Sequence, residues 1–205
     1  LFLHLLDRIW QRRGLQRQSG ARIVRYADDM VVLCCKGTEQ PMAMLRWILE
    51  RMGLSLNGDK TRVVDAYQGK FNFLGFEIWM AKSRRTGNHY AHVQPSKKSL
   101  KTIKGRITQL TARTRTAVPM EGLINELNAI VRGWVGFFHV RNCSNTLAQL
   151  RGHLEERVRT HLRRRHKVRG RGMGYVWFAT RELYSKYGLY KVPTTAGWTK
   201  VHALR

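Results

Sequence analysis

Hydrophobic positions change period several times along the chain, and each change predicts an element. Leu3, Leu6, Ile9 and Trp10 recur at helical spacing with Asp7, Arg8 and Gln11 on the other side, which predicts a short amphipathic helix. Gly14 to Gly20, rich in Arg, Gln and Ser, reads as a loop. Arg22–Tyr26 and Met30–Cys35 are dense in strand formers, and Ala27-Asp28-Asp29 interrupts them as the turn of a β-hairpin. Leu45, Ile48, Leu49 and Met52 share one helical face, between Pro41 in the first turn and Gly53 as a C-terminal cap. Leu54-Ser55-Leu56 and Thr61–Tyr67 predict strands around an Asn57-Gly58-Asp59 turn, and Phe71–Trp79 predicts one further alternating strand. Ser83–Asn88 is then the tip of a hairpin returning through Tyr90, His92 and Val93.

At Pro95-Ser96 the period turns helical, and a domain boundary is expected there. Ser96 is a good N-cap, and Leu100, Ile103, Ile107 and Leu110 recur at helical spacing behind it. Pro119 and Glu121 suit the start of the next helix. Its apolar face is Met120, Leu123, Ile124, Leu127, Ile130, Val131 and Trp134, and its polar face is Asn125, Asn128 and Arg132. Gly133 and Gly136 would permit close helix approach, with Trp134, Phe137 and Phe138 filling the core. Thr146 and Gln149 form a candidate capping box for a helix carried on by Leu147, Leu150, Leu154, Val158 and Leu162. Gly170–Gly174 reads as a flexible link and Tyr175–Phe178 as a return to a packed region. The aromatics Tyr187, Tyr190 and Trp198 admit two readings, a small core or a stacking surface.

Charge sharpens this outline. The 205 residues are 43% hydrophobic, enough for a real core, yet 38 basic against 13 acidic side chains leave a net charge of +25. Residues 1–95 carry 15 basic and 8 acidic side chains and residues 96–205 carry 23 and 5, so the second half is the stronger polyanion binder. Lys97, Lys101 and Lys104 form a stripe beside an apolar ridge, flanked by Lys98 and Arg106, with no acid between Lys97 and Val118. Such a face can run along a phosphate backbone. Arg157 to Arg171 is denser still, with eight basic residues in fifteen and no acid: Arg157, Arg163, Arg164, Arg165, Lys167, Arg169 and Arg171 are candidate contacts. The run Arg163-Arg164-Arg165-His166-Lys167 would repel itself in isolation and is expected to be flexible until a nucleic acid neutralises it. No apolar run approaches the roughly 20 residues of a spanning helix, so membrane binding is not expected. Cys34, Cys35 and Cys143 show no zinc spacing and read as thiols of a reducing compartment.

Two adjacent carboxylates, Asp28 and Asp29, at an otherwise apolar hairpin turn repel each other and call for a cation, of which Mg²⁺ is the usual one. Tyr26-Ala27-Asp28-Asp29 resembles the catalytic motif of reverse transcriptases. Leu56-Asn57-Gly58-Asp59-Lys60-Thr61 resembles the next motif of the palm, and Phe73-Leu74-Gly75-Phe76 resembles the segment leading from palm to thumb. Leu127-Asn128, followed by Gly133-Trp134 and Phe137-Phe138, resembles the maturase-specific domain of the reverse transcriptase/maturases encoded by group II introns. The four matches stand in the family's order.

The resemblance implies an α+β protein. It would be a partial palm of antiparallel strands with packed helices (1–94), followed by an all-α region of a thumb helix (95–118) and a maturase-specific domain (119–167). A basic and aromatic nucleic-acid-binding region (168–205) would end it. The implied activity is RNA-templated DNA synthesis: attack of a primer 3′-hydroxyl on a deoxynucleoside triphosphate, with Asp28 and Asp29 as Mg²⁺ ligands and Lys60 near the leaving group. The implied partners are group II intron RNA, whose splicing and mobility the protein would assist, an RNA template with its DNA primer, and dNTP. The family's other metal aspartate lies upstream with the fingers. The expectation is therefore a fragment or truncated reading frame, inactive alone unless another polypeptide supplies those parts. The competing reading is an RNA-binding splicing cofactor that does no chemistry. No His-Asn-His arrangement or paired cysteines appear near the end, so an endonuclease domain is not expected. A cytoplasmic location of bacterial type is expected, an organellar one being the other reading.

Overall fold

The computed structural model describes residues 3–197, so Trp198 lies outside the described residues. Two compact units, Leu1–Leu74 and Gly75–Arg205, together make a mixed α and β protein, in agreement with the α+β expectation. In the first unit, α1 (His4–Arg12) buries Leu6 and Trp10. The expected loop after it is a short helix, α2 (Leu15–Ser19), set between Gly14 and Gly20, both left-handed. Leu15 is buried and the Ser19 hydroxyl donates to the Leu15 carbonyl, so one apolar anchor turns a polar stretch into a helical turn.

Strands β1 (Ala21–Tyr26) and β2 (Asp29–Cys34) pair antiparallel, with Tyr26 opposite Asp29 and Ala21 opposite Cys34. Period two sends Ala21, Ile23, Met30, Val32 and Cys34 toward one core with Leu6, Trp10 and Leu15. The same core takes Leu45, Ile48 and Leu49 from α3 (Glu39–Arg51), and Trp10 Nε1 donates to the Ala21 carbonyl at 3.1 Å. The expected strands 54–56 and 61–67 are absent. Asn57 Oδ1 accepts from the amides of Asp59 and Lys60, and Asp65 Oδ1 from that of Tyr67, so local turns capture the backbone groups a ladder would need. The single strand expected over 71–79 is also broken. β3 (Phe71–Phe73) stops at Leu74 and Gly75, with φ of 49° and 79°, before β4 (Phe76–Lys82) begins.

The second unit opens with β4 and β5 (His89–Pro95), an antiparallel hairpin with Phe76 opposite Pro95 and Lys82 opposite His89. The period does turn helical at Pro95-Ser96, but packing keeps this hairpin with the helices. The Gly75 carbonyl accepts from the Ser96 amide and the Ser99 hydroxyl, and Phe76 packs on Phe137 and Phe138. A Cβ at Gly75 would meet Ser99 Oγ at 2.9 Å and Phe138 Cζ at 3.0 Å, so this position needs glycine for space as well as for φ.

Ser96 caps α4 (Lys97–Leu110), accepting from the Ser99 amide at 3.2 Å. After a 3₁₀ turn, Arg113–Arg115, come α5 (Met120–Phe138), α6 (Ser144–Arg165), α7 (Arg171–Trp177) and α8 (Thr180–Ser185). The core is as expected for Ile103, Ile107 and Leu110 of α4, Leu123, Ile124, Leu127 and Val131 of α5, and Leu147, Leu150, Leu154, Val158 and Leu162 of α6. Several expectations fail in detail. Gly133 and Gly136 face open space rather than a neighbouring helix, and Phe137 is 56% exposed. No capping box forms, because α6 starts at Ser144 and Thr146 is already a buried residue of its first turn.

Two histidines of α6 are drawn into this packing. His153 Nε2 lies 3.1 Å from the Lys104 carbonyl and 3.2 Å from Thr108 Oγ1. His161 is fully buried beside the Thr111 backbone. Burial pushes the pKa of both below the usual histidine value. The cations of Arg165, Arg164 and Arg115 add to the effect at His161, and those of Lys104 and Arg157 at His153. With folded pKa values below the unfolded one, the unfolded chain binds more protons as pH falls through about 6.5, and the folded state loses stability in that window. The urea midpoint should therefore drop between neutral and mildly acid pH, and the His161→Leu variant should show a shallower drop. An unchanged pH slope in that variant would disprove the assignment.

Candidate nucleic-acid interface

In the first unit, the acidic pair sits where the hairpin bends. Ala27 (φ 52°) and Asp28 make the turn, Asp29 is the first residue of β2, and both carboxylates are exposed. Arg25 braces the bend, donating to Asp7 from Nε (3.2 Å) and Nη2 and to the Ala27 carbonyl from Nη1 at 2.8 Å. The neighbouring Asp7 carboxylate raises the Arg25 pKa. Lys60 is exposed and its amide closes the Asn57 turn. Among the described residues no group of three or more His, Cys, Asp or Glu side chains could hold a metal ion. Asp28 and Asp29 thus offer two carboxylates of the hard-oxygen kind that suits Mg²⁺ but not a complete ligand set, and no chemical step can be built from these residues alone.

In the second unit the expected cationic residues fall into two groups. Lys97, Lys98 and Lys101 are exposed on α4 and Lys104 is half-buried, and none has an ion-pair partner among the described residues. At 3.6 residues per turn, Lys97, Lys101 and Lys104 lie on one flank of the buried face and Arg106 on the other. There Arg106 joins Arg115 in holding the Glu126 carboxylate below its usual range. Arg115 is the main cause, with hydrogen bonds of 3.0 and 3.1 Å.

The second group lies on α6 and serves the fold. Arg157 donates from Nε to Thr111 Oγ1 (3.0 Å) and from Nη2 to the Thr108 and Thr111 carbonyls (both 3.2 Å), capping the C-terminal end of α4. Burial lowers its pKa, with Arg164 contributing. Arg165 Nη1 donates to the carbonyls of Thr116 and Val118 at 2.8 and 2.7 Å. The run 163–167 is therefore not a free, self-repelling segment. It is the last turn of α6 and its cap, with Arg165 compensated by carbonyl dipoles and Arg163 lying against Gly174. Arg164, Lys167 and Arg169 stay exposed.

Arg132 lies over the Tyr190 ring at 5.3 Å, and Arg171 pairs with Glu156 at 3.2 Å. Burial opposes ionisation of Glu156, yet the Tyr175 hydroxyl, Arg171 and Arg159 together hold it below the usual carboxylate range. Asn128, expected on the polar face of its helix, clamps the C-terminal segment: its Nδ2 donates to the Gly188 carbonyl and its Oδ1 accepts from the Tyr190 amide.

Two features were not legible as sites. Arg151, Arg181 and Lys191 converge with Thr180, Tyr184 and Ser185 on an open cleft of about 520 Å³, although they stand far apart in sequence. Tyr184 donates to Glu155 there, and burial followed by that carboxylate pushes its pKa up to about 12, so the phenol stays protonated. The second is α7, where the expected flexible link is helical and Tyr175, Val176 and Trp177 are exposed rather than packed, leaving only Phe178 buried. Alternating Gly and apolar residues over a short stretch give no clear period, which is why neither state was readable.

Among the described residues no helix is long and apolar enough to cross a membrane. Residues 100–179 match the family model of the group II intron, maturase-specific domain. The matched stretch begins inside α4, the helix expected as a thumb, and ends after α7. No curated protein matches the chain.

The two cation groups separate in experiment. Replacing Arg157 or Arg165 by Ala should lower stability by about 1–3 kcal/mol in urea unfolding, since each leaves carbonyls without a donor. Replacing Lys97, Lys98 and Lys101 by Ala should leave stability within about 0.5 kcal/mol per site. Equal stability losses in both sets would contradict the division.

Proposed function

We propose that this chain is the rear part of a group II intron reverse transcriptase/maturase, whose second unit binds intron RNA and assists splicing and mobility. The observation that carries this reading is the maturase-domain match on a unit whose α4 presents unpaired lysines. Polyanion affinity follows from that charge: each phosphate neutralised releases a counterion, so binding should weaken steeply with salt.

The first unit is proposed as the end of a reverse-transcriptase palm, with Asp28 and Asp29 as two metal ligands and Lys60 near the leaving pyrophosphate of dNTP. Support comes from the exposed carboxylate pair on a braced strand-to-strand bend, in the residue order of the polymerase motif. A Mg²⁺ site would need at least one further ligand from an upstream segment or a second polypeptide, which would also hold the RNA template, the DNA primer and the nucleotide. The second reading, a splicing cofactor without polymerase activity, rests on the same basic surface and needs no metal site.

The test uses the purified chain, group II intron RNA and a primed RNA template. Tight, salt-sensitive binding of intron RNA is expected, and Lys97, Lys98 and Lys101 changed to Ala should lower the slope of log affinity against log salt by about one for each phosphate no longer neutralised. Asp28→Ala with Asp29→Ala should leave RNA binding unchanged, and templated extension by this chain should be absent. Binding no tighter than to an arbitrary RNA would refute the maturase reading. Robust Mg²⁺-dependent extension would refute the claim that the polymerase site is incomplete.

A further inference from the structure

We infer that α7 is a stacking platform for unpaired RNA bases, with the neighbouring cations holding the attached phosphates. The inference rests on the RNA-binding reading above and names the kind of RNA one surface takes. On α7, Val176 is 72% and Trp177 58% exposed, with Met173 and Tyr175 close to half exposed. So much apolar and aromatic surface on a seven-residue helix costs free energy unless something covers it.

The helix is firmly placed. Gly174 packs against the side-chain stems of Arg159 and Arg163, and the Phe178 ring lies 5.5 Å from that of His166. The Phe178 carbonyl accepts from Arg159 Nε at 3.1 Å. These interactions set α7 along the last turns of α6, and the short connection between the two helices carries Lys167 and Arg169. Both are exposed and have no acidic partner among the described residues. Tyr175 is already engaged: Arg159 sits 4.1 Å from its ring centroid and its hydroxyl donates to Glu156. Trp177 has no such engagement among the described residues and is the ring left for a ligand.

Charge selects the occupant. Between Glu156 and Glu182 the sequence has no acidic residue, so a protein partner would have to be strongly acidic to sit here. Unpaired RNA supplies phosphates for the cations and a π-face for the indole at once, which a duplex, with its bases stacked inside, does not.

Binding of the full chain to a short oligouridylate and to an RNA duplex of equal length, each followed by fluorescence anisotropy over a salt series, tests this. Trp177→Ala should weaken oligouridylate binding about five- to hundredfold with an unchanged salt slope, Trp177→Phe should restore most of it, and duplex binding should hardly move. Lys167→Ala with Arg169→Ala should instead lower the salt slope by about one to two. With 58% of Trp177 exposed, circular dichroism should show both variants folded. Wild-type oligouridylate binding in Trp177→Ala would overturn the inference while leaving the RNA-binding reading in place. So would a loss of self-association, or of polyglutamate binding, in place of the RNA effect. Failure of the unaltered chain to bind either RNA would remove both.

Discussion

The helical unit depends on guanidinium groups donated from α6 into backbone carbonyls that helix ends leave open. A helix finishes with carbonyls that have no amide to accept from, and burying such an end is costly. α4 ends inside the unit, with Thr111 fully buried. Arg157 reaches across from α6 to cover the Thr108 and Thr111 carbonyls, and Arg165 does the same for Thr116 and Val118 in the connection to α5. Arg159, 4% exposed, repeats the device on the other side, joining the Phe178 carbonyl and Thr180 Oγ1 at the entry to α8. Three arginines on one helix thus fasten the chain segments that pack around it.

This arrangement changes what the charge means. A net +25 invites the view that every cation faces a polyanion, but the densest basic stretch includes Arg157, Arg159 and Arg165, which donate to backbone carbonyls of their own chain. Arginine suits both roles, since its planar, weakly hydrated fork carries several donors into a partly buried site. Lysine, a compact and strongly hydrated charge, is left on the α4 flank. Three of the five acids in residues 96–205, Glu126, Glu155 and Glu156, are held by arginines, so little acid remains to offset that flank.

How much of this could be read beforehand follows the same physics. Long periodic faces were legible: the apolar runs of α4, α5 and α6, the Ser96 cap and the two hairpins came from spacing alone, because burial of a regular face dominates other preferences. The acidic pair was legible as a turn feature and stands at one. Short elements were not, since a single interaction decides them: Leu15 makes a helix of a presumed loop, and the Asn57 and Asp65 side chains unmake two presumed strands. The division of the basic residues was hidden for another reason. Arg157 and Arg165 meet carbonyls more than forty positions away, and sequence alone shows a charge but not what it faces.

The β1–β2 hairpin has one more consequence. Its core-facing side chains are matched on the opposite side by Val24, Tyr26 and Leu33, which are 39%, 68% and 46% exposed, so the ribbon is apolar on both faces. A two-stranded sheet also has margins to which, among the described residues, no further strand is hydrogen-bonded. Arg22 and Arg25 are the only charged side chains along β1, and Arg25 is turned inward to Asp7. A concentrated solution of this chain is therefore open to strand-on-strand growth at these margins, held back chiefly by electrostatic repulsion between copies.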